Sequence, residues 1–568
     1  MALILMSASL STAGDFQKVH FAILGDRTGD HIPGKFGETL AEILRLKPDF
    51  ILTVGDMIEG YTDDTVRLIA EWEEYKKIIE PSNIPIFHTP GNHDILSDVQ
   101  DAMYRRYWGD PYYSFDRSGI HFIIVQNTRW ENSTELPAEE MDWLKNDLEQ
   151  NQQAPYTIVF MHKPFWYETT AVGKSDTLHT LFKNYGVDAV FTGHYHDYFV
   201  GQYDGIVYTG VGSSGGRVSP GPTGMEMHFM WVTADEECLH INPIRKGSVL
   251  PWDEVTADDL RDVTKMGMTA VDMGKVFIAT DLQAPLQSFD ITINNPSATE
   301  KIKGSFKWHL PEGWNIDPLD APLDIDPGDK ATLTFKASST GPLYPLPEAE
   351  FPFTYRDGKT TDIGTEMLIA REVMADRAYN KLKTNGKLKE IFWKRCETKM
   401  FGSDGEMAEI DSVEFYFAYD FDNLYLAARC FDAKMDSLRA EVKDHDGPIY
   451  GEDCVGYFIQ PDINKEEAYQ IYVNPLGTIF DQKLGMDEYG FTTSDRSWDG
   501  HYRVDVRRDK NFWTMEMAIP LDQFGVTAQS GDEWGLNFRR KQARLGLSGE
   551  WQTPIDYDPK SFGIMIME

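Results

Sequence analysis

The sequence predicts an α/β domain followed by two all-β sandwich domains. In its first 245 residues, short apolar runs alternate with amphipathic stretches; the runs are VHFAIL, DFILTVGD, IPIFHTPGN, HFIIVQN, YTIVFMH and VDAVFTGH. Continuous apolar runs of this length are typical of buried strands, and the amphipathic stretches between them are typical of crossover helices. Beyond residue 245, apolar and polar residues alternate with period two, which indicates β-sandwiches.

One helix of the first domain can be placed from residue types alone. Pro137 suits the first turn of a helix, and Glu139 and Glu140 complement the helix dipole there. Three apolar residues share one face at helical spacing: Met141, Leu144 and Leu148. The sequence therefore predicts a helix from Pro137 to Glu149.

The length of 568 residues predicts several domains, because one hydrophobic core rarely serves more than about 250–300 residues. We predict an α/β domain over 15–245, a spacer over 246–373 and a third domain over 374–568. The spacer segment, with its LPEGW and PGD turns, resembles immunoglobulin-like linker modules, and we expect no chemistry from it. The last segment, which closes on GDEWGLNFRR and GEWQTP, resembles family-nine carbohydrate-binding modules and is expected to be a β-sandwich.

The charge balance excludes some partners. A formal net charge of −37 and a pI near 4.7 repel nucleic-acid backbones and anionic membrane surfaces. A phosphorylated small molecule stays compatible with this charge, because bound divalent cations reverse the local potential. Polymeric nucleic acid is therefore not expected as a partner.

The N-terminus leaves two alternatives open. Residues 1–14 have a short apolar stretch and a small-x-small cleavage pattern at Ser11-Thr12-Ala13, but they lack a positive start. They are either a trimmed signal peptide, so that the protein is secreted or periplasmic, or an extension of a cytoplasmic protein. No run approaches the roughly 18 apolar residues of a membrane span. The four widely spaced cysteines indicate buried free thiols, or one bridge among the last three.

Polar clusters follow nearly every predicted strand of the first domain. They contain Asp26, Asp56, Asn92, His93, Asp94, His162, His194 and His196. Loops at the carboxyl ends of strands converge in open α/β sheets, so these side chains can meet. Carboxylate, amide and imidazole ligands together suit Mn, Fe or Zn. One bridging carboxylate can hold two ions about 3.5–4 Å apart, close enough to share a hydroxide that attacks phosphorus.

These clusters, read in order as GDRTG, GDMIEG, GNHD, MHKP and GHYH, resemble the five-block signature of calcineurin-like metallophosphoesterases, which include purple acid phosphatases. The resemblance implies that Asp56 bridges two metal ions. It implies that Asp26 and His196 hold the first ion and that the second ion has three further ligands: Asn92, His162 and His194. It also implies that His93 is the general acid at the leaving-group oxygen and that Asp94 orients its ring.

The sequence departs from the family pattern at one place. Thr28 occupies the position at which the family usually has a histidine ligand of the first metal. Purple acid phosphatases also lack that histidine and use a tyrosine three residues beyond the bridging aspartate, where this sequence has Glu59. We predict that Glu59, or else Thr28, fills the gap; a weaker first site or a single-metal enzyme is the alternative.

Other residues carry two interpretations each. Arg27 lies beside a metal ligand and either clamps a phosphate oxygen or forms a surface ion pair. Asn127 and Arg129, at the end of a predicted strand, are further candidates for the cleft. His121 and His228 lie inside apolar strands and are expected to be core histidines. In the third domain, three aromatic residues either stack on a sugar or pack the sandwich: Trp393, Tyr489 and Trp498.

Two functions follow from these patterns. The first is metal-dependent hydrolysis of a phosphomonoester or phosphodiester, with carbohydrate as a second partner of the third domain. The second is a glycan-binding or adhesion protein on a weak or inactive metallophosphoesterase scaffold. The intact second ligand set favours the enzyme, whereas the loops that set the substrate carry no readable signal.

Overall fold

The computed structural model describes residues 2–3, 18–218, 227–245, 247–393, 395–487, 492–553, 555 and 557–568. Apart from residues 2–3, the predicted signal peptide lies outside this part of the chain, as does Tyr489. The chain divides into two compact units, Met1–Asp262 and Val263–Glu568. The first unit mixes helices with sheets and the second is rich in β-structure, which confirms the predicted fold class.

The first unit contains strands and helices in alternation. Its strands are β1 Ala2–Leu3, β2 Val19–Leu24, β3 Phe50–Thr53, β4 Ile86–Phe87, β5 Tyr113–Arg117, β6 Ile120–Ile124, β7 Tyr156–Phe160, β8 Ala189–Thr192, β9 Phe199–Tyr203, β10 Ile206–Gly210, β11 His228–Ala234, β12 Leu239–Arg245 and β13 Ser248–Val249. Its helices are α1 Lys35–Leu46, α2 Thr65–Ile79, α3 Asp98–Trp108, α4 Ala138–Gln150, α5 Phe165–Glu168 and α6 Thr177–Tyr185, and α7 Ala257–Thr269 crosses into the second unit. Each of the six predicted apolar runs contains a strand.

Two mixed sheets form the centre of the first unit. One has the order β1-β12-β11-β2-β3-β4, with β13 on β12, and the other has the order β5-β6-β7-β8-β10-β9. Strands β2, β3 and β4 run parallel, as do β6, β7, β8 and β10. The carboxyl ends of the neighbouring parallel strands therefore lie at one edge of each sheet, where the predicted polar clusters begin.

The two sheets face each other across an apolar core. Phe21 of β2 stacks on Phe50 of β3 at 5.0 Å and meets Phe122 of β6 edge-on at 5.5 Å. The next residues along β2, Ala22 and Leu24, instead pack in a second core with helices α1 to α3. Burial on both faces explains why β2 is a continuous apolar run and not an alternating one.

The helix predicted from Pro137 to Glu149 is present, and one of its acidic residues, Glu140, is buried. The helix begins at Ala138, and Pro137 precedes it as the cap. Glu139 and Glu140 lie in the first turn, as predicted. Glu140 is also buried, and it accepts a hydrogen bond from the Gln126 backbone N–H at 2.8 Å. Burial raises the pKa of Glu140 to about 7. Its carboxylate thus fixes the backbone that follows β6.

The second unit is built from strands after the end of α7. They are β14 Val271–Met273, β15 Val276–Phe277, β16 Gln287–Asn294, β17 Ile302–His309, β18 Trp314–Asp317, β19 Asp320–Ile325, β20 Lys330–Ser339, β21 Glu348–Thr354, β22 Thr360–Glu366, β23 Ile369–Ala370, β24 Glu372–Arg377, β25 Val413–Tyr419, β26 Asn423–Phe431, β27 Cys454–Gln460, β28 Ala468–Val473, β29 Ile479–Met486, β30 Thr492–Asp495, β31 Arg503–Arg508, β32 Phe512–Pro520, β33 Glu533–Gln542, β34 Leu547–Glu550 and β35 Gly563–Met567.

The sheets of the second unit fall into two sequence regions. Strand β14 and strands β16 to β22 form two small sheets, β14-β16-β20-β18 and β19-β17-β21-β22, and β15 pairs with β23. Strands from β24 onward form the large set β30-β29-β28-β27-β33-β35-β24-β25-β26-β32-β31, with β34 on β33. The division into domains at 245 and 373 stays a prediction, since residues 246–262 belong to the first compact unit.

The part of the chain that the structure describes contains neither a disulfide bond nor a helix that could span a membrane. All four cysteines are free, with Cys396 exposed and the other three buried, so the alternative of a single bridge is not seen there. None of the helices in the described ranges is both long enough and apolar enough to cross a bilayer.

Asp188, at the start of β8, makes the stability of the first unit depend on pH. Its carboxylate accepts a hydrogen bond from the Thr157 N–H at 2.8 Å, and burial raises its pKa from 3.8 to about 7. The folded state therefore holds this proton more tightly than the unfolded state. The stabilisation is complete below the unfolded pKa and is lost as the pH rises through the folded pKa.

We expect Asp188→Asn, which cannot ionise, to remove this loss. The free energy of unfolding of the variant relative to wild type should be larger at about pH 8 than at about pH 5, by about 2–3 kcal/mol. Urea unfolding of the full chain at the two pH values measures the difference. Asp142→Asn, at an exposed position of α4, is the matched control; equal pH responses of both variants would contradict the prediction.

Candidate metal centre

Four strand ends bring most of the predicted ligands together. Asp26 follows β2, Asp56 follows β3, and the two histidines His162 and His194 follow β7 and β8. Donor atoms of Asp56, His162 and His194 all lie within 4.8 Å of one another, and so do those of Asp26, Asp56 and His196. The two groups share Asp56, the residue predicted to bridge two ions. Their roles as ligands stay predictions, but the sequence-predicted proximity is present.

Glycines leave the space into which these carboxylates and imidazoles project. A Cβ on Gly91 would lie 2.0 Å from Oδ1 of Asp56, and a Cβ on Gly193 would lie 2.8 Å from Oδ2 of Asp26. A Cβ on Gly55, whose φ is +105°, would lie 2.6 Å from Nδ1 of His162. The glycines of the GD, GN and GH pairs are thus required by close packing against the site.

The backbone is strained at three of the site residues themselves. Asp56, His194 and His196 have φ values of 60°, 78° and 62°, in the left-handed region that non-glycine residues rarely adopt. Each such conformation costs about 1–3 kcal/mol and persists only where surrounding contacts fix it. Here it turns each side chain inward at the end of its strand.

Two buried carboxylates give the site its electrostatic character. Asp26 is fully buried, which raises its pKa; the nearby His196 and His162 oppose this rise. The carboxylate of Asp26 accepts the His194 backbone N–H at 3.1 and 3.2 Å. Although burial acts in the opposite direction, His162 holds the pKa of Asp56 well below its usual range. A buried pair of this kind needs positive charge nearby.

His162 supplies that positive charge in the structure. Its Nδ1 lies 2.8 Å from the Val54 carbonyl, and its Nε2 lies 2.8 Å from Oδ1 of Asn92 and 3.2 Å from Oδ2 of Asp56. Burial alone would lower the pKa of His162, but Asp56 and the other acceptors raise it to about 9. Both ring nitrogens face acceptors, so the ring is held as a cation between the carboxylates.

His194 behaves in the opposite way. Burial and the neighbouring His162 lower the pKa of His194 to about 3, so its ring is neutral. A neutral imidazole has a free lone pair for a metal ion. The site therefore combines neutral and charged imidazoles around two carboxylates. Oxygen and nitrogen donors of this kind fit Mn, Fe or Zn, and a bound cation would replace the charge that His162 provides.

His93 is held at the edge of the site by groups other than the predicted one. Its Nδ1 donates to the Glu59 carbonyl at 2.7 Å, and its ring meets the Tyr61 ring edge-on at 4.3 Å. The prediction that Asp94 orients this ring is wrong for the described hydrogen bonds. The two oxygens of Asp94 instead accept four backbone N–H groups, from Asp56, Met57, Ile58 and Gly91.

Asp94 therefore anchors the loop that carries Asp56. Its carboxyl lies 2.8 to 3.2 Å from the four amide nitrogens and is almost fully buried. Burial and the nearby Asp56 raise the pKa of Asp94 to about 7. The residue acts on the metal centre through the backbone of Asp56 and not on the substrate side.

Glu59 does not join either ligand group. Its Oε1 lies 2.6 Å from Nδ1 of His31. Although partial burial opposes it, the side chains of Thr28 and His31 lower the pKa of Glu59. The interpretation that Glu59 replaces the family's first-block histidine thus has no support in this geometry. Thr28 is fully buried, and its backbone N–H donates to the Asp56 carbonyl at 3.1 Å.

Arg27 points away from the site. Its Nη1 donates to the Met57 carbonyl at 2.7 Å, and its Nη2 pairs with Glu74 at 2.7 Å. The ion pair of the second interpretation is thus present, and the phosphate clamp stays a prediction without support from these contacts. The Arg27 side chain is buried, whereas the Glu74 side chain is exposed. Arg27 ties the loop after β3 to helix α2.

The other weak candidates take structural positions. Asn127 accepts the backbone N–H groups of His162 and Lys163, both at 3.0 Å, and so fixes the loop after β7. Arg129 pairs with Asp98 at 2.8 Å. His121 lies between Asp116 and Asp147, 2.8 Å from each. His228 is buried, and its Nε2 accepts the Gly212 N–H at 3.2 Å, as expected for a core histidine.

Sequence reasoning missed Tyr61. Its hydroxyl oxygen accepts a hydrogen bond from Nδ2 of Asn92 at 2.5 Å, which fixes the amide with Oδ1 directed to His162. The signal in the sequence is weak, because Tyr61 lies five residues beyond Asp56 and reaches the site through positive φ values at Gly60 and Tyr61. The purple acid phosphatase pattern has its tyrosine at the position of Glu59 and therefore gives no signal for Tyr61.

The aromatic candidates of the second unit pack against neighbours. The Trp498 ring lies 4.7 Å from the Tyr469 ring, and the Trp393 ring lies 4.8 Å from the Phe392 ring. Both tryptophans are half-buried. This matches the packing interpretation for these two rings, and carbohydrate binding stays a prediction from the sequence pattern.

Comparison with known proteins assigns the family of the first unit. Residues 19–198 match the family model described as calcineurin-like phosphoesterase. The serine/threonine-protein phosphatase CPPED1 of Danio rerio is 30% identical over 183 residues, which cover 29% of this chain and 59% of that protein. Purple acid phosphatase 22 of Arabidopsis thaliana is 28% identical over 232 residues, which cover 35% of this chain and 51% of that protein. The chain thus spans less than two thirds of the length of these relatives.

A solved carbohydrate binding module of family 9 from Caldicellulosiruptor kristjanssonii, in complex with glucose, is 15% identical, with a TM-score of 0.25; the match covers 35% of this chain and 95% of that one. This score is too low to support an argument about ligands. The family model instead spans the strand ends from Asp26 to His196 that carry both ligand groups. Residues 19–198 of this chain are a calcineurin-like metallophosphoesterase domain.

Proposed function

We propose that the chain hydrolyses a phosphomonoester or phosphodiester in a reaction that depends on two metal ions at the Asp26–Asp56 centre. The observation that carries this proposal is the sharing of Asp56 between two ligand groups. Mn, Fe or Zn ions at such a centre polarise phosphoryl oxygens and bring the pKa of water near neutrality. The remaining contributions come from the residues of the chain.

His93 is the proposed general acid. The Glu59 carbonyl accepts from Nδ1, so the opposite nitrogen, Nε2, is the atom that can deliver a proton. Tyr61 packs edge-on against the ring and limits its rotation. Proton delivery from a positioned imidazole to the leaving oxygen allows an alkoxide or phenoxide to depart as the neutral alcohol.

The alternative is a binding protein on an inactive scaffold. The placement of Asp56, His162 and His194 within one ligand group favours the enzyme, since a decayed site would have no need of strained backbone at Asp56 and His194. The replacement of the family's histidine by Thr28 affects the first metal position and not the ligand group of Asp56, His162 and His194. Substrate identity, and preference for monoester or diester, are left open by these residues.

The activity can be tested on the full chain after chelation and addition of Mn²⁺ or Zn²⁺. We expect metal-dependent turnover of p-nitrophenyl phosphate or its bis ester. Asp56→Asn removes the shared charge and should weaken metal binding by about 100-fold or more, with loss of turnover. Absence of metal-dependent turnover on both esters in the wild type would favour the binding protein instead.

Substitution of His93 separates proton transfer from metal binding. We expect His93→Ala to lower kcat by about 10²–10⁴-fold, because the leaving group then departs without a proton, while bound metal is unchanged. Metal analysis and steady-state kinetics measure the two effects. His309→Ala, at an exposed histidine in the second unit, is the control. Unchanged kcat on both esters in His93→Ala would contradict the assignment.

Tyr61 is expected to act through Asn92. Tyr61→Phe removes the acceptor of the Asn92 Nδ2–H but keeps the ring against His93. We expect metal affinity to fall by about tenfold, with a smaller effect on KM. Tyr107→Phe, which removes a hydroxyl bonded to Glu73 on the helices, is the matched control. Metal titrations that show the same affinity for both variants would refute this role.

A further inference from the structure

A second group of metal-ligating side chains lies at the tip of the hairpin formed by β11 and β12. Donor atoms of Asp235, Cys238 and His240 lie within 4.8 Å of one another. The Cys238 Sγ is 3.1 Å from Nε2 of His240, and the same nitrogen is 3.5 Å from Oδ2 of Asp235. One sulfur, one nitrogen and one oxygen donor therefore converge on a single point.

The hairpin places the three residues on one face. Ala234 pairs with Leu239, so residues 235–238 make the turn, and the Asp235 N–H donates to the Cys238 carbonyl at 3.2 Å. Cys238 ends the turn directly before β12 and is two residues from His240 of that strand, so the alternation of an extended chain places both side chains on the same side. Asp235 faces Cys238 across the two-residue loop. The spacing Asp-x-x-Cys-x-His thus follows from the register.

The distances match the edges of a tetrahedral zinc site. With Zn–S of about 2.3 Å and Zn–N and Zn–O of about 2.0–2.2 Å, tetrahedral ligands lie about 3.4–3.6 Å apart. The observed separations are 3.1 Å for sulfur to nitrogen and 3.5 Å for nitrogen to oxygen. The third separation, from the Cys238 sulfur to the Asp235 carboxylate oxygen, is below 4.8 Å. We propose that Asp235, Cys238 and His240 bind one Zn²⁺-class cation with a fourth position open.

Solvent can reach the donor set although its sulfur is buried. The Cys238 side chain is buried. A soft or borderline metal ion that displaces the thiol proton would supply the positive charge that a buried thiolate requires. Asp235 and His240 are partly exposed, so an ion can reach them from solvent.

The site is separate from the phosphoesterase centre. Ala234 pairs with Val19, the first residue of β2, whereas Asp26 follows the last residue of that strand. At about 3.3 Å per residue, the two sites lie roughly 20 Å apart at opposite ends of β2. Neither ligand group at the Asp56 centre contains a cysteine. A thiolate–metal signal therefore does not come from the Asp56 centre.

The test uses Cd²⁺, which binds thiolate and gives a charge-transfer band in the near ultraviolet. We expect titration of the purified full chain to produce a band that saturates at one ion per chain. Cys238→Ser should abolish the band, and His240→Gln should weaken Cd²⁺ binding by about tenfold or more. Asp56→Asn should leave the band intact, which distinguishes this site from the proposed phosphoesterase centre.

Two matched variants control for nonspecific effects. Cys396→Ser removes the exposed cysteine, and His20→Gln removes a histidine on the neighbouring strand β2, which bonds Thr233 at 2.8 Å; both should keep the band. Circular dichroism checks that Cys238→Ser folds, and His240→Gln gives an independent readout at a partly exposed position. A wild type without the band, or a band lost with Cys396 but kept without Cys238, would overturn the site.

Discussion

The first unit depends on the enclosure of two carboxylates in a space that excludes water. Asp26 and Asp56 are 0% and 2% exposed, and two uncompensated charges at that depth would cost several kcal/mol each. Compensation comes from the charged ring of His162 and from backbone N–H groups of His93 and His194. Strand ends, glycines and strained φ values all serve to bring these donors within reach.

The need to hold these carboxylates in place explains the structural contacts of two residues beside the site, Asp94 and Arg27. The loop after β3 must hold Asp56 at positive φ, and the four amides that Asp94 accepts stabilise that turn. Arg27 binds the same loop from the other side through the Met57 carbonyl. Both residues therefore help to determine where the shared carboxylate points, whereas the sequence predicted that Asp94 orients the His93 ring and left Arg27 as either a phosphate clamp or an ion pair. The His93 ring is instead positioned by a hydrogen bond to the Glu59 carbonyl and by edge-on contact with the Tyr61 ring.

The strands and their polar ends could be predicted because both depend on local sequence. An apolar run such as VHFAIL specifies a buried strand whatever its partners are, and a parallel sheet then gathers the residues that follow. Side-chain partners depend on chain paths that no local pattern encodes. Arg27 meets Glu74 across 47 positions, and Tyr61 reaches Asn92 across 31. The contact of Glu59 with His31 could not be predicted for the same reason, since the two residues lie 28 positions apart.

The ligand group at the β11–β12 hairpin depends on strand register, which the sequence alone does not determine. Asp235, Cys238 and His240 form a ligand set only if the loop has two residues, and a one-residue change in register would turn Cys238 and His240 to the other face. Sequence alone does not fix that register, whereas pairing of β11 with both β2 and β12 does. Strand β2 thus has one proposed cation site at each of its two ends.

The net charge of −37 gives these cation sites their significance. A phosphoester that approaches such a surface is repelled, and Lys163, the cation next to His162, is already engaged by Glu131 and the Trp130 carbonyl. In the proposed function, the attraction for an anionic substrate would come from ions held by Asp26 and Asp56. The same acidity raises the local concentration of divalent cations, so that occupied metal sites convert an unfavourable surface into one that accepts phosphate.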